Sequence, residues 1–147
     1  MRLTRYTDYA MRVLLYLGGR PGRLCSIAEI ARAYDISQNH LMKVVNDLVR
    51  AGYVASVRGR AGGIRLACEA GRINVGRVVR HTEADFDLVD CGNCVIAPTC
   101  GLTGVLHEAL AAFLAVLDRY SLEDLLSGRR ELANLFLHDP PPSTAAR

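Results

Sequence analysis

Three cysteines fall within ten residues, Cys91, Cys94 and Cys100, in the segment Asp90-Cys-Gly-Asn-Cys-Val-Ile-Ala-Pro-Thr-Cys100. Thiolates spaced C-x2-C-x5-C can hold zinc or an iron–sulfur cluster, and three of them leave a four-coordinate shell one ligand short. His81 and His107 flank the segment as candidate fourth ligands, although neither spacing is a strong zinc signature. Cys25 and Cys68 stand apart, and packing explains them better than ligation. The chain has five cysteines and an N-terminus unlike a secretory leader. Both features point to a reducing, cytoplasmic setting, where clustered thiols imply metal or redox chemistry rather than disulfides. No apolar run is long enough to span a bilayer, so no membrane association is expected.

Charge divides the chain. Residues 1–80 carry 14 Lys+Arg against 5 Asp+Glu, a net +9, and residues 81–147 carry 4 against 10, a net −6. The basic part suits a polyanion, and the acidic part does not.

Periodicity places the elements around these residues. Ala10, Val13, Leu14 and Leu17 make the stripe of an amphipathic helix over 7–18. Ser26 and Glu29 form a capping-box pattern for a second helix, with Ile27, Ile30 and Ala31 facing inward. After Tyr34-Asp35-Ile36, Ser37 should cap a third helix whose stripe is Leu41, Val44, Val45 and Leu48. Residues 53–57 and 64–66 read as a hairpin around a glycine-rich tip, Arg58-Gly-Arg-Ala-Gly-Gly63, able to adopt positive φ. A short helix near Val75–Arg80 and the cysteine loop follow. A long helix then runs from about Leu102 to Tyr120. Its stripe, Val105, Ala109, Ala112, Phe113, Val116 and Tyr120, is too long for so small a domain to cover alone, which calls for a partner helix. Ser121 and Asp124 cap a further short helix. The fold class expected is mainly α with a small β-hairpin. Its divisions are a winged helix-turn-helix at 1–80, a cysteine loop at 81–101, dimerisation and C-terminal helices at 102–138, and a disordered tail at 139–147.

In a winged helix-turn-helix the second helix of the pair enters the major groove of duplex DNA, with its first residues facing base edges. Those residues are Ser37, Gln38, Asn39 and His40, with Lys43 one turn on. Gln and Asn can pair with adenine, and Lys with guanine or phosphate. Arg58 and Arg60 on the wing can reach phosphates or the minor groove. Each residue alone could be an ordinary solvated polar group; helix order, basic wing and segregated charge together favour DNA binding. No nucleophile–base set points to an enzyme.

Leu3-Thr-Arg-Tyr-Thr-Asp-Tyr-Ala10, Ser37-Gln-Asn-His-Leu-Met-Lys-Val-Val-Asn46 and Val57-Arg-Gly-Arg-Ala-Gly-Gly-Ile-Arg-Leu66 resemble the Rrf2 family of bacterial regulators. With the cysteine loop and Leu114-Ala-Val-Leu-Asp-Arg-Tyr-Ser-Leu-Glu-Asp-Leu125, the likeness extends over residues 1 to about 137 and is greatest to the family's nitric-oxide-sensing repressors. The resemblance implies a homodimer joined along the long helix, bound to an inverted-repeat operator. It also implies an iron–sulfur cluster, two-iron or four-iron, held by Cys91, Cys94 and Cys100. Asp8 matches the position from which such regulators can supply a fourth ligand across the dimer. A carboxylate is a hard donor on soft iron, so Asp8 should be the weakest ligand and the first displaced. The family's alternatives are iron- or redox-responsive regulation; outside it stands a zinc-stabilised or thiol-switched DNA-binding protein. The first two cysteines are closer together here than is usual in the family.

Overall fold

The computed structural model describes residues 2–128. The rest of the C-terminal helix expected up to 138, and the tail at 139–147, lie outside the described residues. The chain is mainly helical with one two-stranded antiparallel hairpin. Helix α1 (Arg5–Gly18) starts at Thr4, whose hydroxyl accepts from the Thr7 amide. Its stripe of Ala10, Val13, Leu14 and Leu17 is buried. Helix α2 (Ile27–Tyr34) is capped by Ser26. The reciprocal half of the capping box is not made, because the Glu29 carboxylate instead meets the Tyr16 hydroxyl at 2.7 Å and Arg23 at 2.9 Å. Ile30 and Ala31 are buried and Ile27 only half so. Asp35, in the left-handed region with φ 52°, stops α2 and turns the chain into α3 (Gln38–Arg50). Ser37 occupies the cap position of α3, but its hydroxyl makes no capping bond.

Strands β1 (Val54–Val57) and β2 (Gly63–Leu66) pair Val54 with Leu66 and Val57 with Gly63. Cys25 adds a rung on the free side of β2, exchanging both backbone hydrogen bonds with Ile64 at 2.8 and 2.9 Å. Of the three tip glycines only Gly59 takes positive φ. Gly62 and Gly63 are needed for space: a Cβ at Gly63 would lie 2.8 Å from the Cys25 carbonyl oxygen, and one at Gly62 would run into the Val57 carbonyl.

Helix α4 (Val75–Thr82) packs on α1, and α5 (Leu102–Asp118) packs on α4. The end of α5 is fastened to α4, both at its N-cap and in its last turn. Asp118 forms a bidentate ion pair with Arg80, with Nη2–Oδ2 at 2.7 Å, and its carbonyl accepts from Asn74 Nδ2 at 2.7 Å. A capping box, Ser121 with Asp124, opens α6 (Leu122–Leu125). Leu122 and Leu126 return to the same core as α1, α2, α3 and the hairpin. Among the described residues no helix is long and apolar enough to cross a membrane.

Candidate DNA-reading face and cysteine loop

Helix α3 is two-sided by sequence. Leu41, Val44, Val45 and Leu48 are buried, which turns Gln38, Asn39, His40 and Lys43 outward, beside an exposed Ser37. Among the described residues none of these five side chains has a protein partner, so their hydrogen-bonding capacity is free for a ligand. Arg58 and Arg60 are exposed at the wing tip, again without an ion pair among the described residues. Arg65 and Arg72 are likewise exposed and unpaired there.

The loop from Glu83 to Gly101 joins α4 to α5, and its root is tied to α1. The Thr7 hydroxyl donates to Thr82 Oγ1 at 2.8 Å, both residues being buried, and Thr82 in turn donates to the Val78 carbonyl at 2.9 Å. Next to them the Thr4 amide and hydroxyl donate to Glu83 Oε1 at 2.8 and 3.1 Å. Sequence reasoning missed this latch, because its partners lie 75 and 79 residues apart.

Within the loop, Cys94 N–H donates to Cys91 O, Ala97 N–H to Cys94 O, and Cys100 N–H to Ala97 O, at 3.1–3.4 Å. Each link is a three-residue turn, and the last forms a 3₁₀ turn at Ala97–Thr99. The Cys91–Cys94 spacing is spanned by one such turn and Cys94–Cys100 by two. The Cys91 sulfur lies 3.4 Å from the Thr103 hydroxyl. Cys91 also lines an open cleft of about 610 Å³ with Phe86, Leu88, Leu106, His107 and Leu110. Cys94 is exposed, and beside it Val95 and Ile96 are 95% and 61% exposed.

All three thiols are free. Their number, softness and placement on one short loop fit a thiolate-held metal group in donor type. Their side chains do not converge in the single chain: among the described residues no three His, Cys, Asp or Glu side chains are placed to share a metal ion. Of the two histidines flanking the loop, His81 is engaged by Asp47 at 3.0 Å, and His107 faces the cleft. Asp8 is exposed on α1 and makes a two-point pair with Arg12, Nε–Oδ1 and Nη2–Oδ2 both at 3.0 Å.

Helix α5 has two apolar faces. Leu106, Leu110, Phe113, Leu114 and Leu117 are half-buried. Leu102, Val105, Ala109, Ala112 and Val116 are exposed, and so is Tyr120 just past the helix end. Phe113, grouped from sequence with the outer stripe, falls with the half-buried set.

A profile of the Rrf2 family, described as an iron-dependent transcriptional regulator, matches residues 3–128. The chain is 52% identical to the HTH-type transcriptional regulator NsrR of Bacillus subtilis over 141 residues, 92% of this chain and 97% of that protein. It is 50% identical to the regulator of the same name from Geobacillus kaustophilus, over 92% of this chain and 96% of that one. Among solved structures, T. potens IscR superposes with a TM-score of 0.74 at 27% identity, covering 90% of each chain.

Proposed function

The chain belongs to the Rrf2 family of iron-dependent transcriptional regulators, and from that premise we propose that it is a dimeric, cytoplasmic repressor that senses nitric oxide through an iron–sulfur cluster. The observation that carries this reading is a free-thiol loop whose root is hydrogen-bonded to the start of α1. That helix bears Asp8 and packs against the DNA-reading helix α3. Cys91, Cys94 and Cys100 would hold the cluster, with Asp8 of a second copy as fourth donor. When bound, the cluster supplies a soft, oxidisable iron centre with which nitric oxide reacts.

The protein's own residues do the rest. Asp8 is exposed and outside its own chain's loop, as a donor offered to another subunit must be. Arg12, one turn along α1, offers it a second partner, so Asp8 is satisfied whether or not it serves as a ligand. The exposed stripe of α5 supplies the surface for the second copy. Two α3 helices held at a fixed separation would read an inverted repeat, with Ser37, Gln38, Asn39, His40 and Lys43 in the major groove and Arg58 and Arg60 on the flanks.

The test is anaerobic purification, iron and sulfide analysis, and visible spectroscopy before and after stoichiometric nitric oxide, with operator binding followed in parallel. The expected protein is coloured and loses its absorbance and operator affinity together. Ala at Cys91, Cys94 or Cys100 should each abolish iron binding. A colourless zinc protein would overturn the cluster. A coloured protein released from DNA by iron withdrawal but not by nitric oxide would make iron the signal, the reading favoured by the family's description as iron-dependent.

A further inference from the structure

The first turn of α1 and the DNA-reading helix meet at a cleft that neither helix explains alone. Arg5, Tyr6 and Tyr9 line it from α1, and His40, Lys43 and Val44 from α3. Arg5, His40 and Lys43 are exposed, Tyr6 and Tyr9 half-buried, and Val44 buried beneath them. The result is a shallow hollow of about 220 Å³ with an apolar, largely aromatic floor and a cationic rim. Among the described residues neither Arg5 nor Lys43 has an ion-pair partner. The carboxylates on the same two helices are committed elsewhere, Asp8 to Arg12, and Asp47 to His81 and to Arg50 at 3.9 Å. Among the described residues no ion pair therefore offsets the hollow's two cations, though the Asp47 carboxylate acts on Tyr6 in its floor. Two exposed cations beside an apolar floor match a deoxyribose-phosphate unit, whose sugar is apolar at its faces and whose phosphate is anionic.

We infer that this hollow is a phosphate clamp for the DNA backbone, in which α1 contributes Arg5 as a contact outside the helix-turn-helix and the wing. The inference rests on the proposal that α3 reads DNA. Of the residues proposed for the major groove, His40 and Lys43 are the two that also line this hollow, at the border where base edges give way to backbone. A duplex whose major groove takes up the start of α3 carries one of its bordering strands over these two side chains and the adjoining first turn of α1. Arg5 then neutralises one backbone phosphate and Tyr6 and Tyr9 pack beneath the sugar. Such a contact orients the protein on the duplex and carries no sequence information.

The test is fluorescence anisotropy of the full chain, purified anaerobically, on labelled operator and scrambled duplexes over a range of salt concentrations. Wild type, Arg5→Ala and Arg5→Lys are compared. Each phosphate neutralised contributes about 0.9 to the slope of log K against log salt. Because a dimer presents two Arg5 side chains, Arg5→Ala should lower the magnitude of that slope by about 1.8 and weaken both duplexes alike, roughly thirtyfold to hundredfold near 0.1 M salt. Arg5→Lys should keep the slope. Arg5→Ala with wild-type affinity and slope would overturn the clamp while leaving the DNA-reading face standing. A loss confined to the operator would make Arg5 a base contact and also overturn it. A wild-type protein that binds neither duplex would sink the DNA-reading proposal itself, and the clamp with it.

Discussion

At Glu83 a single carboxylate joins the first residues of the chain to the root of the cysteine loop. Partial burial works to raise its pKa, but the hydroxyl and amide hydrogen bonds of the Thr4–Thr7 turn outweigh burial and hold it below the ordinary value of 4.5. A carboxyl depressed in the folded state adds stability above its unfolded pKa and loses it as pH falls through the folded value. Glu83→Gln should therefore destabilise the protein at pH 7, by under about 1 kcal/mol for so solvated a group. The deficit should shrink as pH drops below 4.5. Urea unfolding of both proteins across pH 3–7 checks this, and a pH-independent difference would remove the charge from the explanation. Cys25 is the opposite kind of residue. It is wholly buried, and burial, with the Glu29 charge adding to it, pushes its thiol pKa up despite Arg23 and Arg20. In cluster-free protein, mass spectrometry after brief alkylation should find Cys94 modified and Cys25 intact until the protein unfolds. Equal labelling of the two would show that burial does not set their reactivity.

At the scale of elements, the wing depends on a contact that sequence patterns do not reveal. Cys25 pairs with Ile64 across β2, which presses its carbonyl against Gly63. Gly63→Ala should cost about 1–3 kcal/mol through overpacking against backbone, whereas Arg60→Ala at the tip should leave the melting curve unchanged; thermal unfolding separates the two. The helices were legible in the sequence because their buried stripes repeat at the helical period and their stops are marked by Gly or by a left-handed residue such as Asp35. The outward face of α3 was legible for the same reason, since a buried stripe on the helix fixes which side chains must point out. Details that depend on distant partners were not legible. Ser37 has the right type for a cap and does not cap. Glu29 has the right spacing for a capping box and is taken by Tyr16 and Arg23. The Thr7–Thr82 bond has no local signature at all. The three candidate thiol ligands could be named from spacing, but the proposed fourth could come only from a resemblance, because a donor on another subunit would leave no pattern within one chain.

For the molecule as a whole, the exposed apolar surface is concentrated where a second copy would cover it. Val105 is 62% exposed, Val116 and Tyr120 44% each, and Val95 and Ile96 protrude from the loop that precedes them. Ala112→Glu places a charge mid-stripe without touching the half-buried face of α5. It should shift the protein from dimer to monomer in light scattering and lower operator affinity by the loss of paired half-sites. Retained dimerisation would move the interface elsewhere. The anchoring of α5 has a mechanical consequence. Its far end is bound to α4 through Asp118, while its cysteine end starts at Gly101 without a side-chain cap. A helix of 17 residues is a rod about 25 Å long. Pivoted at Asp118, it needs a tilt of only about 5° to carry Leu102 through about 2 Å. A change in the shape of the cysteine loop would thus be passed along the stripe as a tilt, largest at Leu102 and falling away toward Asp118, without any repacking of the core.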